Sequence, residues 1–191
     1  MNLKKLFDMQ KKLDEKILER FPHLRNEDLL PKKILALQVE LGELCNCWRG
    51  FKFWSHDQVP RTRVLVNRTT DDIGFKNIGP EHIKNPLLEE FADCLHFLLS
   101  IGNDINMNEV YEDSVPEPLR RDDIIEQFMD VNDWINYFYR NRHEDVNGEI
   151  YDLIFSNFLG LGEMLGFTWE QIEEAYMRKN AVNHERQNSG Y

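Results

Sequence analysis

An all-α antiparallel bundle is the fold class this chain predicts, on three observations. Apolar residues recur at intervals of three and four through most of its length. Boundary residues stand where those rows begin and end, among them Pro31, Gly50 and Thr168. No internal repeat or sustained heptad pattern accompanies them, which favours packed single helices over a solenoid or a coiled coil. At 191 residues the chain can bury a sizeable core and reads as a single domain over 1–191, with a long irregular insertion near 56–83.

The first helix is expected at about 3–20, where Leu6, Met9, Leu13 and Ile17 form a stripe that ends before Pro22. Gln10 and Asp14, one turn apart beside that stripe, are open to a surface or a ligand role. The second helix, at about 31–48, carries Ile34, Leu37, Leu41, Leu44 and Trp48 on one face and has Gly50 just past its end. A run of aromatics and cations follows, Trp48 to Trp54, suited either to bundle packing or to a wall against a nucleobase. Gly74-Phe75 and Gly79-Pro80 punctuate the insertion, and residues 64–66 suit a short strand.

A third helix is expected at about 86–103, with Leu87, Phe91, Cys94, Leu95, Leu98 and Ile101 on its main face. After a Pro-Glu-Pro connection near 116–118, a fourth at about 122–139 has Ile125, Phe128, Met129, Trp134 and Phe138 as its expected packing surface. Asp130 and Asp133 there suit a solvated face better than a metal. A fifth at about 149–165 contains Gly160 and Gly162, which permit close approach of a neighbouring helix. The last, at about 168–186, starts at an N-cap Thr168 with Gln171 three residues on.

The 41% apolar content and the 12 Phe and 4 Trp residues exclude a wholly disordered chain despite a net charge of −11. That charge disfavours stable binding to nucleic acid or an anionic membrane, and no run approaches a membrane-spanning length or a signal peptide. A soluble, cytoplasmic protein is expected. Cys45, Cys47 and Cys94 provide neither a paired disulfide set nor a zinc framework, so reduced thiols are expected.

The chemistry-bearing signal is two acidic pairs, Glu40-x-x-Glu43 and Glu90-x-x-Asp93, each interrupting an apolar helix face. On a helical wheel Glu40 lies within the apolar arc, Glu43 and Asp93 lie at its edges, and Glu90, unlike Glu89, points toward the packed side. Carboxylates are costly to bury without compensation, so four directed inward suggest a hard cation such as Mg²⁺ and phosphate chemistry by activated water. Surface ion pairs are the alternative reading of the same spacing. Lys179, Asn183 and Arg186 share a helix face that suits phosphate, with Asn180 or Asn183 as an amide donor, or else simply complement a helix terminus. His96, three residues past Asp93, is open to a packed or a base-contacting role. P-loop, GxGxxG and HExxH patterns are absent.

Three segments then carry a resemblance: residues 37–43 (LQVELGE), 47–55 (CWRGFKFWS) and 88–97 (LEEFADCLHF), strengthened by the terminal stretch 176–191. Together they resemble the dimeric-type all-α dUTPase family, related to MazG-like nucleotide pyrophosphohydrolases, and so imply the all-α NTP pyrophosphatase type of bundle. The resemblance implies Mg²⁺ ligation by Glu40, Glu43, Glu90 and Asp93 and phosphate binding by Lys179, Asn183 and Arg186. It also implies a uracil-site glutamine at Gln10 and base-pocket roles for Trp54 and His96, while Asp14 stands where relatives can carry Asn. The activity implied is hydrolysis of dUTP to dUMP and pyrophosphate, and of dUDP to dUMP and phosphate, by a homodimer. Pyrophosphohydrolysis of another nucleotide and a noncatalytic nucleotide-binding or interaction role are the alternatives.

Overall fold

The structure, a computed structural model, describes residues 2–66, 82–112 and 114–189. The turns expected at Gly74-Phe75 and Gly79-Pro80, like the terminal Gly190 and Tyr191, lie outside the described residues. The architecture is an all-α bundle, with one two-stranded antiparallel ribbon among the described residues.

Helix α1 (Leu3–Arg20) opens at Asn2, whose Oδ1 accepts from Lys5 N at 3.0 Å, and buries Leu3, Leu6, Phe7 and Leu13. After a 3-10 turn at Pro22–Asn26, α2 (Leu30–Trp48) begins with Pro31 in its first turn and buries Ile34, Leu37, Leu41 and Leu44. The helix ends at Trp48 with Gly50 just beyond, as expected, and its C-cap Arg49 takes the left-handed conformation, at φ +67°. Two guanidinium hydrogen bonds from Arg49 to the Asp57 carbonyl, at 3.0 and 2.7 Å, hold that turn. Gly50 answers a different need, since a Cβ there would stand 2.3 Å from the Trp48 ring.

Strands β1 (Val64–Leu65) and β2 (Ile83–Lys84) pair in the register Val64 with Lys84 and Leu65 with Ile83. Helix α3 (Pro86–Asp104) follows, with Asn85 Oδ1 accepting from Leu88 N at 3.1 Å. It is the central element, packed against α1, α2 and three later helices, and it is buried along most of its length. The short α4 (Met107–Val110) leads into an irregular strap and then α5 (Ile124–Asn141), capped by Asp123 through Ile125 N and Glu126 N.

The packing face of α5 corrects the sequence reading. Phe128, Val131, Ile135 and Phe138 are buried, whereas Ile125 and Met129 are 48% and 56% exposed. At 100° per residue, the row through 128, 131, 135 and 138 turns 125 and 129 out of the contact with α6 (Asn147–Met164). Trp134 is partly buried against the core.

Helix α6 is buried along most of its length, like α3, and its two glycines serve different neighbours. A Cβ at Gly162 would lie 2.7 Å from the Phe91 ring of α3, as expected for close helix approach. At Gly160 the neighbour is the strap instead, with Leu119 O only 1.9 Å from the Cβ position. The strap is fixed there by Leu119 N donating to Ser156 O and by buried Gln127, whose Nε2 donates to Leu119 O and Asn157 O. Neither backbone can yield, so Gly160→Ala is expected to cost about 1–3 kcal/mol, measured as a lower midpoint in urea denaturation.

Helix α7 (Trp169–Ser189) starts at the expected capping box: Gln171 N donates to Thr168 Oγ1 at 3.3 Å and Thr168 N to Gln171 Oε1 at 3.0 Å. All three cysteines are free thiols. Among the described residues no helix is long and apolar enough to cross a membrane.

Candidate active site

Packing of α2 against α3 brings the two acidic pairs together. One carboxylate oxygen from each of Glu40, Glu90 and Asp93 lies within 4.8 Å of the others. Glu43 is solvent-exposed and stands outside that group, although its charge acts on it. Glu89 also stands outside it, as the helical wheel implied.

The electrostatics are those of half-buried like charges. Burial, then Asp93, Glu43 and Glu40, push the Glu90 carboxyl up to about 7. Burial and the neighbouring Asp93 and Glu43 charges raise Glu40. Burial also raises Asp93, against the pull of Lys179, whose ammonium donates to Asp93 Oδ2 from α7. An all-oxygen donor set crowded to this spacing fits a hard divalent cation, which would relieve the repulsion.

A cavity of about 360 Å³ opens from this cluster. It is lined along α3 by Asp93, His96, Phe97 and Ser100, a run of about 10 Å at the helical rise of 1.5 Å per residue. Leu13 and Ile17 of α1 contribute apolar wall, and Lys179, Asn183 and Arg186 of α7 contribute polar wall.

Away from the acids lies a hydrogen-bonded polar group. His96 Nδ1 and Gln10 Oε1 are 2.7 Å apart; since an amide oxygen only accepts, Nδ1 carries the hydrogen and Nε2 is bare. Nε2 is buried without a hydrogen-bond partner, and burial together with the Lys179 charge depresses the imidazole to about 3, so His96 is neutral. Tyr176 stacks on it at 4.2 Å and donates its hydroxyl to Gln10 Oε1 at 3.1 Å. Gln10 Nε2 donates to Asp14 Oδ1 at 2.8 Å, and Ser100 Oγ to Asp14 Oδ2 at 2.7 Å. Burial raises the Asp14 carboxyl, opposed chiefly by Lys33, which pairs with Asp104 at 2.6 Å.

The structure thus gathers Glu40, Asp93, Gln10, Asp14, His96, Lys179, Asn183 and Arg186 around one cavity. Glu43, Glu90, Asn180 and Trp54 are not among its lining residues, Glu90 belonging to the acidic cluster at its edge. Asn180 is buried one turn past Tyr176 on the same helix, with its side chain directed at the Tyr176 hydroxyl. Trp54 is 65% exposed, edge-on to Phe51 and Phe53. Its loop is tied to the end of α2 through Arg61 N to Cys47 O and to the start of α3 through Leu87 N to Arg61 O, whereas the cavity runs toward Ser100. Sequence reasoning gave no role to Ser100, Lys33 or Tyr176. Ser100 was within reach, being four residues past His96 on a face already implicated.

A family model described as dUTPase matches residues 2–78 and 75–191. No curated protein shows a significant match to the chain. Taken with the all-α bundle and the clustered carboxylates, the match over nearly the whole chain assigns it: this protein belongs to the all-α dUTPase family, dUTPase_2.

Proposed function

We propose that the protein is a Mg²⁺-dependent nucleotidohydrolase that converts dUTP to dUMP and pyrophosphate, and dUDP to dUMP and phosphate. The observation that carries this reading is the cluster of Glu40, Glu90 and Asp93, two of whose members, Glu40 and Asp93, line the same cavity as the polar group of Gln10, Asp14 and His96. Membership of a dUTPase family supports the nucleotide class.

In this reading Glu40, Glu90 and Asp93 hold Mg²⁺, with Glu43 supplying further negative charge from the next turn. The bound metal would neutralise phosphate oxygens and make a coordinated water more acidic. A carboxylate of the cluster takes the proton of the attacking water as its oxygen bonds to the α-phosphorus. The bond from that phosphorus to the bridging oxygen breaks, and the electron pair leaves with pyrophosphate or phosphate. Lys179 and Arg186 offset the negative charge of the phosphate chain and Asn183 donates an amide hydrogen bond. At the other end, the second Gln10 Nε2 hydrogen suits a uracil carbonyl and Asp14 suits the ring N–H, a pattern that cytosine does not present.

A homodimer is part of the proposal. Exposed Leu35 on α2 and exposed Ile125, Met129 and Tyr139 on α5 border the seam where Gln38 Nε2 donates to Asn136 at 3.0 Å. A cytoplasmic location accompanies it. The decisive assay analyses phosphate products from dUTP, dUDP, UTP, dCTP and dTTP with and without Mg²⁺. Metal-dependent dUMP formation, with pyrophosphate from dUTP and orthophosphate from dUDP, is the expected result; turnover of another base instead, or none across the panel, would overturn it.

A further inference from the structure

Lys179 and Arg186 face two spaces. Besides the nucleoside-sized cavity, they line a second cleft of about 240 Å³, which lies between α7 and the junction of β2 with α3. Lys84, Arg178 and Glu89 complete its polar lining. Four cations around one carboxylate is an unusual local balance in a chain of net charge −11. Arg178 pairs with Glu174 Oε1 at 2.8 Å, Lys179 donates to Asp93, and the Arg186 charge acts on Asp93. Beyond its place in the β1–β2 ladder, Lys84 is exposed, and its ammonium makes no hydrogen bond or ion pair with another described residue.

The order of groups along α3 gives the cleft a direction. Ser100 and His96 lie at the polar end of the large cavity, Asp93 and Glu90 at the acidic cluster, and Glu89 in the second cleft. Lys84 comes two residues before the helix begins. A nucleotide with its base near His96 and its α-phosphate at the carboxylates therefore runs its remaining phosphates past Lys179 toward Lys84. The shared wall of Lys179 and Arg186 joins the two spaces electrostatically. A diphosphate ends near that wall, whereas a triphosphate has one more oxyanion to place.

We propose that the cleft at Lys84 and Arg178 is a subsite for the terminal phosphate of a nucleoside triphosphate, and that it separates triphosphate from diphosphate substrates. It rests on the proposed attack at the α-phosphorus. Lys84 is the principal outer contact, free to turn its ammonium onto the phosphate, with Arg178 exchanging Glu174 for the same group. After the reaction the same contacts retain pyrophosphate more strongly than orthophosphate.

The test measures Lys84→Met and Arg178→Met for dUTP and dUDP kinetics at fixed Mg²⁺, and titrates the same proteins calorimetrically with inorganic pyrophosphate in excess Mg²⁺. Each variant is expected to raise KM for dUTP about three- to tenfold, as for a partly exposed charge on an anion. The dUDP kinetics should change less than twofold, pyrophosphate should bind correspondingly more weakly, and Lys84→Arg should recover most of the loss. The differences should shrink as ionic strength rises. Equal effects on dUTP and dUDP, or none on either, would overturn the subsite. If the wild-type protein turned over neither nucleotide, the hydrolase reading would fail instead. The pyrophosphate titration would still decide the cleft: weaker binding in Lys84→Met upholds an oxyanion site, and unchanged or absent binding removes it.

Discussion

Glu90→Gln is expected to lower kcat/KM for dUTP by about two to three orders of magnitude and yet to raise the melting temperature of the metal-free protein at pH 8. Both effects come from one arrangement. Three carboxylates whose oxygens lie within 4.8 Å of one another suit a divalent cation and repel one another without it. The glutamine keeps the shape and removes one charge. The sign of the pH dependence follows from the carboxyl being pushed up to about 7 from an ordinary unfolded value of 4.5. The folded chain holds that proton more tightly, so this contribution is complete below about pH 4.5, fades as pH rises through 7, and is level above it. A melting series from pH 4.5 to 8 in chelator should therefore fall for the wild type and fall less for Glu90→Gln, where Glu40, Asp93 and Asp14 remain raised but the Glu90 contribution is gone. Glu89→Gln, outside the cluster, should retain most activity. A Glu90→Gln protein with wild-type turnover, or one less stable than wild type in chelator at pH 8, would remove Glu90 from the proposed metal site.

Much of this arrangement is legible in sequence because a helix converts spacing into direction. The rows through Leu37, Leu41 and Leu44 and through Phe91, Leu95 and Leu98 fix which sides of α2 and α3 meet, and Glu40, Glu90 and Asp93 follow from that choice. The capping box at Thr168 was legible for a similar reason, being a local hydrogen-bond exchange. What spacing does not encode is the neighbour lying over a given face. Ile125 and Met129 are apolar and at helical spacing, but α6 covers the adjacent row and leaves them in solvent. Asn180 and Asn183 are equivalent as amide donors in a linear pattern, and only the position of α7 against α1 and α3 puts Asn183 on the cavity. Trp54 depends on a loop anchored by Arg49 and Arg61, whose partners are backbone carbonyls and a carboxylate with no periodic signature.

Phe91→Ala, one residue from Glu90, should show the opposite division, a large loss of stability with the chemistry retained while the protein stays folded. The Phe91 ring is fully buried, stacked on Phe158 at 4.2 Å and 15° and edge-on to Phe167 at 5.5 Å. It also fills the space left by the missing side chain of Gly162, so three elements close on one ring. Truncation removes the transfer energy of the ring and leaves a cavity that Gly162 cannot fill, for an expected cost of about 3–5 kcal/mol. In a chain of this size that corresponds to a fall of roughly 10 °C or more in melting temperature. Phe91→Leu, which keeps much of the volume, should lose less than half as much. Because Phe91 is neither a cavity-lining residue nor a member of the acidic group, the kcat of the alanine variant well below its melting point should stay within a few fold of wild type. A melting temperature within 2 °C of wild type would mean that α3 and α6 are not locked through this ring, and the rigid placement of Glu90 and Asp93 on either side of it would need another source.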